Sequence, residues 1–383
     1  LVADVACALR RMPMDIRLPP FLLTRINWED VLNCPVFRQF IPMQSALVND
    51  HPMSQADSLN EWADSKVPGL VHRYPNKALF LATHMCSVYC SFCTRAYMVG
   101  TGAIDKRPMI PNRERWEKVF EYLRLNDAIH DVVLSGGDVY TLSPTHFHLL
   151  LNGQIPHIKR IRIGSKGLCA VPGRIVDPTD KWTEVLLRST NRAVQLDKEL
   201  CLHTHFNHVQ EINGITREAA RFLYQNGVTV RNQSVLLKGV NDTLKDLKDL
   251  IQALADLHIS PYYIYQCDMT IGIEHLRTRI SDMKRLEMAL QGSTTGYYTP
   301  KFVVDLPGGG GKRIISTHDT YDEDTGISTW RAPALGGAKA ERIYKYYDPK
   351  PVELGAPLEP FPLFPPVLGI RENRGGPSYF GGS

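Results

Sequence analysis

Long apolar runs are missing from this 383-residue chain: none approaches the roughly 20 residues that a membrane-spanning helix needs. The opening stretch LVADVACALRRM is cut by Asp4 before a secretory core can form. Membrane and secretory readings fall away, and a cytoplasmic location is expected. A large charge of one sign is missing too. With 44 Lys and Arg against 40 Asp and Glu the formal net charge is +4, too small over this length to imply a polyanionic partner, so nucleic-acid binding is not expected. No repeat period and no heptads are found. What is present, 43% apolar and 22% charged residues, matches a globular protein with a large core and excludes collagen-like, mucin-like and largely disordered classes.

Cysteine is sparse and unevenly placed. Cys7, Cys34, Cys169, Cys201 and Cys267 are scattered and read as small buried hydrophobes in a reducing compartment. Cys86, Cys90 and Cys93 sit together in Cys86-Ser-Val-Tyr-Cys90-Ser-Phe-Cys93. At a cysteine frequency near two per cent, a cysteine followed by others at +4 and +7 arises by chance anywhere in the chain with odds of roughly three in a thousand. Three thiolates on one short loop can converge on a soft metal centre. A structural zinc wants four protein ligands, and so does the usual ferredoxin run. Three ligands leave one iron of a four-iron cluster open to a small molecule.

From about residue 78, short apolar runs alternate with helical patterns, which predicts βα units and a parallel sheet. Strands are expected at 78–82, 131–134, 160–163, 200–203, 228–232, 261–265 and 302–305. After Asn112, a suitable N-cap, Trp116, Val119, Phe120 and Leu123 recur at helical spacing; after Asp242 so do Leu244, Leu247, Leu250, Ile251 and Leu254. Periodicity alone fits a doubly wound sheet or a full or partial barrel. The placement of polar residues favours the barrel: the cysteine run, Ser135-Gly136-Gly137-Asp138, His205, Gln233, Asp268 and Asp305 all fall at or just past strand ends, round one mouth. Residues 1–77 are expected to be a mainly helical and loop-like flank, 78–315 the barrel, and 316–383 an extension ending in a Pro- and Gly-rich tail.

The cysteine run resembles the signature of radical S-adenosylmethionine (SAM) enzymes. That resemblance implies a partial (β/α)6 TIM-like barrel, a 4Fe-4S cluster on the three cysteines, and SAM on the open iron. The Ser135–Asp138 turn then resembles the glycine-rich contact to SAM, since glycine lets a backbone approach a ligand without a Cβ in the way.

After the last expected strand comes Leu306-Pro-Gly-Gly-Gly-Gly-Lys312. A phosphate-binding P-loop would need Gly at 306 and Ser or Thr at 313, where this chain has Leu and Arg. Four glycines instead predict a mobile tether for Lys312. Together with the cysteine run, Phe302-Val-Val-Asp-Leu-Pro-Gly-Gly-Gly-Gly-Lys312 resembles the lysine 2,3-aminomutase family, as do Pro68-Gly-Leu-Val-His-Arg-Tyr-Pro75, Thr204-His-Phe-Asn-His208, Asn232-Gln-Ser-Val-Leu-Leu237 and Tyr262-Tyr-Ile-Tyr-Gln-Cys-Asp268.

The resemblance implies an isomerase that uses SAM and pyridoxal 5′-phosphate (PLP) to interconvert L-lysine and L-β-lysine, by hydrogen abstraction with a 5′-deoxyadenosyl radical and 1,2-amino migration. It implies Lys312 as the PLP-bearing lysine, with Arg73, Tyr74 and Lys77 seating the cofactor. Lys77 stands where the family commonly has Arg, and keeps the charge without the planar fork. Ser135, Gly136, Gly137, Asp138, His205 and Gln233 are implied at SAM. Arg95 would meet the substrate carboxylate, and Asp268 with Asp305 would face the distant ammonium; two acids there would repel a glutamate substrate. A low-potential electron donor such as flavodoxin or ferredoxin and a homo-oligomer are also implied. Thr243, and the lack of any cysteine after Cys267, depart from the family's zinc-binding positions, so no such zinc is expected. Ala96-Tyr97 replaces basic neighbours at the rim. The alternatives left open are an aminomutase acting on arginine or glutamate, and a radical SAM and PLP enzyme of different outcome.

Overall fold

The computed structural model describes residues 1–100, 110–151 and 155–350. Its centre is a run of seven parallel strands in sequence order: β3 (Lys77–Thr83), β4 (Asp131–Gly136), β5 (Arg160–Gly164), β6 (Glu199–Thr204), β7 (Thr229–Leu236), β8 (Ser260–Gln266) and β9 (Lys301–Leu306). All seven lie where the apolar runs placed them. Most are slightly longer, and β7 continues past Gln233 to Leu236.

Along β4 and β7 burial alternates residue by residue, the period of a strand with two unlike faces. Val132, Leu134, Ile163, Leu200, Leu202 and Val230 point to the helices and join the main core. Asp131, Val133, Ser135, Arg162, Cys201, His203, Arg231 and Gln233 point the other way and line one cavity of about 840 Å³. A single cavity touched by every strand from β3 to β9 means that the sheet is curled into a partial barrel.

Two helices show how the outer layer is specified. Helix Arg113–Leu125 starts at Asn112, whose side chain accepts from Arg115 N at 3.1 Å, and buries Trp116, Val119, Phe120 and Leu123; such a cap contributes about 1 kcal/mol. Helix Leu244–Ala255 is capped by Thr243, while Asp242 accepts from Gly239 N. Among the described residues no helix is long and apolar enough to cross a membrane.

The expected helical flank over 1–77 needs correction. Helices Val2–Leu9, Pro20–Leu23 and Pro35–Phe40 are present, but β2 (Leu70–Tyr74) pairs antiparallel with β3, and β1 (Ser65–Val67) pairs antiparallel with β2 at the edge of the sheet. The tight turn at Pro75-Asn76 folds β2 back so that Leu70 faces Phe80 and Val71 faces Leu79. A short strand near the edge, mixing Leu and Val with His72 and Arg73, carries little of the alternation that reveals a strand in sequence.

The glycine-rich segment needs correction too. Pro307–Gly309 forms a tight helical turn, and β10 (Gly311–Ile314) runs back antiparallel to β9 with Lys312 opposite Asp305. Gly308, Gly309 and Gly311 have φ of 72°, 89° and 72°, a region costly for other residues. A Cβ on Gly311 would strike the Tyr74 hydroxyl, and one on Gly310 would lie 2.6 Å from Leu306 and 2.7 Å from Tyr344. The glycines serve close packing rather than mobility.

Strand order runs from β1 to β10, and the two end strands are not paired with each other. Across that seam Gly308 N donates to Ser58 O at 2.8 Å, and Lys339 forms an ion pair with Asp64, just before β1. Lys339 belongs to the chain after β10, which forms a second antiparallel sheet of β11 (Thr320–Asp322), β12 (Ile327–Trp330) and β13 (Tyr344–Tyr347). Trp330, Tyr344 and Tyr346 pack with Phe302, Val304 and Leu306 of β9. The start of the expected extension is therefore folded; the Pro- and Gly-rich segment 351–383 lies outside the described residues.

Candidate active site

The loop after β3 turns tightly: Cys93 N donates to Cys90 O, and Ala96 N to Cys93 O, both at 3.1 Å. Residues of the N-terminal flank brace it, since Tyr89 N donates to Arg17 O at 3.0 Å and Ser91 N to Gln39 O at 2.9 Å. Cys86, Cys90 and Cys93 all line the cavity, and none is in a disulfide. Burial pushes all three thiols up, Cys90 to about 12. Without a counter-charge they stay protonated; a cationic centre would supply that charge. Among the described residues no three His, Cys, Asp or Glu side chains converge closely enough for a single ion. Three thiols on one buried loop are a donor set that would fit a 4Fe-4S cluster.

Beside this loop ends β4. Gly136 has φ 112°, and a Cβ on Gly136 or Gly137 would strike the backbone of Thr83 or Met85. The glycines thus let the end of β4 close on the entry to the cysteine loop, where Asp138 N donates to Met85 O at 2.7 Å. Ser135, Gly136 and Gly137 line the cavity. Asp138 does not: it is buried behind the wall, accepting from Tyr140 N and Lys166 N, both at 2.9 Å, so it is a cap rather than a ligand contact. His205 tilts against Phe92 of the cysteine loop at 5.6 Å and is held neutral, its pKa depressed to about 3 by burial and by Lys166. Gln233 donates to His203 Nδ1 at 2.6 Å and accepts from the Tyr265 hydroxyl at 3.4 Å. That leaves His203 Nε2 as a buried ring nitrogen with no partner among the described residues, on the cavity wall.

Opposite stands Lys312. Its backbone N donates to the Tyr74 hydroxyl at 2.7 Å, and its Nζ meets Asp305 at 2.8 Å and lies 5.4 Å from the centre of the Tyr265 ring. Burial pulls its pKa down, but Asp305, Tyr265 and Tyr74 more than reverse this and raise it. The side chain is 40% exposed, the open part facing the cavity it lines. Arg73 is held by Asp64 at 2.8 Å. Lys77 Nζ sits 4.4 Å from the centre of the Tyr74 ring, with its pKa lowered by burial and by Arg162. A lysine flanked by aromatic rings, with Arg73 and Lys77 on the same wall, fits an anionic aromatic aldehyde such as PLP.

Asp268, just past β8, accepts from the Thr94 hydroxyl. Burial, and then Asp305, push its carboxyl up to about 8. Asp305 keeps one oxygen, Oδ1, buried and without a partner among the described residues. Arg95 is fixed at 2.8 and 2.7 Å to the two oxygens of Glu61. Ala96 and Tyr97 are buried rather than at a rim.

No family model matches the chain. It is 40% identical over 304 residues to L-lysine 2,3-aminomutase of Clostridium subterminale, covering 79% of this chain and 69% of that protein. The chain belongs to the lysine 2,3-aminomutase family. L-Lysine 2,3-aminomutase of Bacillus subtilis is 37% identical, with 80% of this chain and 62% of that protein covered. Glutamate 2,3-aminomutase of Clostridioides difficile is 30% identical, over 83% of this chain and 72% of that protein. Among solved structures, SuiB of Streptococcus suis bound to S-adenosylmethionine aligns with TM-score 0.43 and 16% identity, covering 61% of this chain and 51% of that one.

Lysine 2,3-aminomutase motifs thus brought the cysteines, Lys312 and the two aspartates to one cavity. Sequence reading missed Glu61, Thr94, His203 and Tyr265, and the floor pairs Arg162–Asp131 at 2.9 Å and Arg231–Glu199 at 3.1 Å. Polar residues at alternate positions of otherwise apolar strands, as in Arg160-Ile-Arg162 and Arg231-Asn-Gln233, were the available signal for the floor.

Proposed function

We propose that the chain interconverts L-lysine and L-β-lysine. The observation that carries this reading is charge placement: two aspartates, one with an unpartnered oxygen, face the cavity beside Lys312, while the cation Arg95 lines it too. Such a cavity suits an amino acid with a second, distant ammonium and disfavours glutamate, whose side-chain carboxylate would meet two acids.

When bound, the cluster and SAM supply the one-electron chemistry that removes a hydrogen atom, and PLP supplies a π-system that spreads the unpaired electron. In this reading Cys86, Cys90 and Cys93 hold the cluster. Ser135, Gly136, Gly137, His205 and Gln233 border SAM, and Arg73, Tyr74, Lys77 and Lys312 hold PLP. Arg95 binds the substrate carboxylate; Asp268 and Asp305 bind its far ammonium. The curled sheet walls the reactants off from water and holds them at short range, which supplies both protection and orientation. A low-potential carrier such as flavodoxin or ferredoxin delivers the electron, and the enzyme works as a cytoplasmic homo-oligomer.

Anaerobic incubation of reconstituted protein with SAM, PLP, a reductant and an equal mixture of lysine, arginine and glutamate tests this directly. β-Lysine is the expected product by mass spectrometry; conversion of arginine or glutamate in its place refutes the substrate.

The raised carboxyl of Asp268 gives a pH signature. Below about pH 8 Asp268 holds its proton, and an ammonium arriving beside it favours the carboxylate, so lysine binding expels a proton. The KM for lysine should therefore fall as pH rises from about 6 to about 8, by up to about tenfold per unit, and level off above. Asp268→Asn should raise KM and flatten this profile; a flat wild-type profile would contradict the assignment.

A further inference from the structure

We infer that Glu61 is a positioning residue: it aims one edge of Arg95 into the cavity and keeps Arg95 from pairing with Asp268. The inference deepens the reading of Arg95 as the carboxylate-binding residue and rests on it.

Glu61 precedes β1, outside every motif, and its side chain is only 4% exposed. Its Oε2 accepts from Arg95 Nε at 2.8 Å and from the Tyr97 hydroxyl at 3.0 Å, and its Oε1 accepts from Arg95 Nη2 at 2.7 Å. Trp62 packs edge-on against Tyr97, ring centres 4.9 Å apart, so the carboxylate is fixed from behind. Burial works against its charge, but Arg95 overrides burial and the pKa is lowered; the group is ionised.

A guanidinium can meet carboxylates along two edges, the side edge Nε/Nη2 and the end edge Nη1/Nη2. Glu61 occupies the side edge. Among the described residues Nη1 makes no hydrogen bond, and Arg95 lines the cavity. The end edge is what the cavity is offered, already oriented for a second bidentate carboxylate.

The competing partner is close by. Arg95 directly follows Thr94, whose hydroxyl holds Asp268, and Asp268 feels the charges of both Arg95 and Glu61. Without Glu61, the half-buried Arg95 has Asp268 as an acid to turn to. That pairing would join the cation meant for the substrate carboxylate to the acid meant for its far ammonium. Glu61 holds the two poles apart, and so selects a substrate that carries both.

Glu61→Gln keeps the shape and removes the charge. Its KM for lysine should rise about tenfold or more while kcat stays within about threefold, the split expected when ground-state recognition is lost. Glu61→Asp, which keeps the charge, should recover part of the loss. A crystal structure of Glu61→Gln, which needs no cofactor, should show the Arg95 guanidinium turned toward Asp268. Tyr97→Phe removes a single hydrogen bond from Glu61 and should raise KM about two- to fivefold; it decides the matter if Glu61→Gln does not fold. An unchanged or lower KM, or an unmoved Arg95 in the variant crystal, overturns the inference. If the wild-type protein converts a different α-amino acid, the lysine assignment fails by itself, and the same KM comparison on that amino acid still judges Glu61.

Discussion

Lys312→Ala is expected to abolish the visible absorption of protein-bound PLP and to lower turnover by about a thousandfold or more. The size of the effect follows from how completely the fold commits this residue. Its main chain is pinned to Tyr74 and paired with Asp305 across β9 and β10, so the amine leaves from a fixed point and only the side chain moves. Among the described residues Lys77 is the other lysine on the cavity wall, but it starts β3 and its Nζ rests over the Tyr74 ring, away from the place beside Asp305. Borohydride reduction of the PLP-loaded protein followed by peptide mapping should place the label on Lys312; a label on Lys77, or full activity in Lys312→Ala, would refute the assignment.

Cys90→Ala should remove nearly all cluster iron and sulfide after anaerobic reconstitution, with activity falling below detection and PLP absorption retained. The informative control is Cys201→Ala. Cys201 is also a buried thiol on the cavity wall, raised to about 12 by burial, but its charged neighbours are Arg231, Glu199 and Arg162 of the floor. It should lose no iron. If Cys201→Ala empties the site as Cys90→Ala does, the three-thiol reading is wrong.

The central sheet was legible because strands buried on both sides must be apolar at every other residue at least, and the helices between them keep a 3.6-residue rhythm. β1 and β2 were not, because strands near the edge need little of either. The site divides the same way. Cysteines at fixed spacing and a lysine after four glycines announce their chemistry locally, so they could be named from residue type. Glu61 acts only through Arg95, 34 residues later, and such a partnership leaves no local trace. The glycines before Lys312 show the converse error: their composition spoke for freedom, whereas their positive φ angles and the nearness of Tyr74 and Tyr344 speak for confinement. Asp138 was drawn into the ligand set by adjacency to Gly136 and Gly137, although the chain has already turned behind the wall there.

The bond between Lys339 and Asp64 has a practical corollary. A protein trimmed at the end of β10 would retain the three loop cysteines, Lys312 and both aspartates, and the bond from Gly308 to Ser58, yet it would lose the ion pair that also ties the flank between β1 and β10. Short-lived reactive species would then face oxygen and buffer through a loosened side. Assays on minimal fragments would report damage where the intact chain reports product.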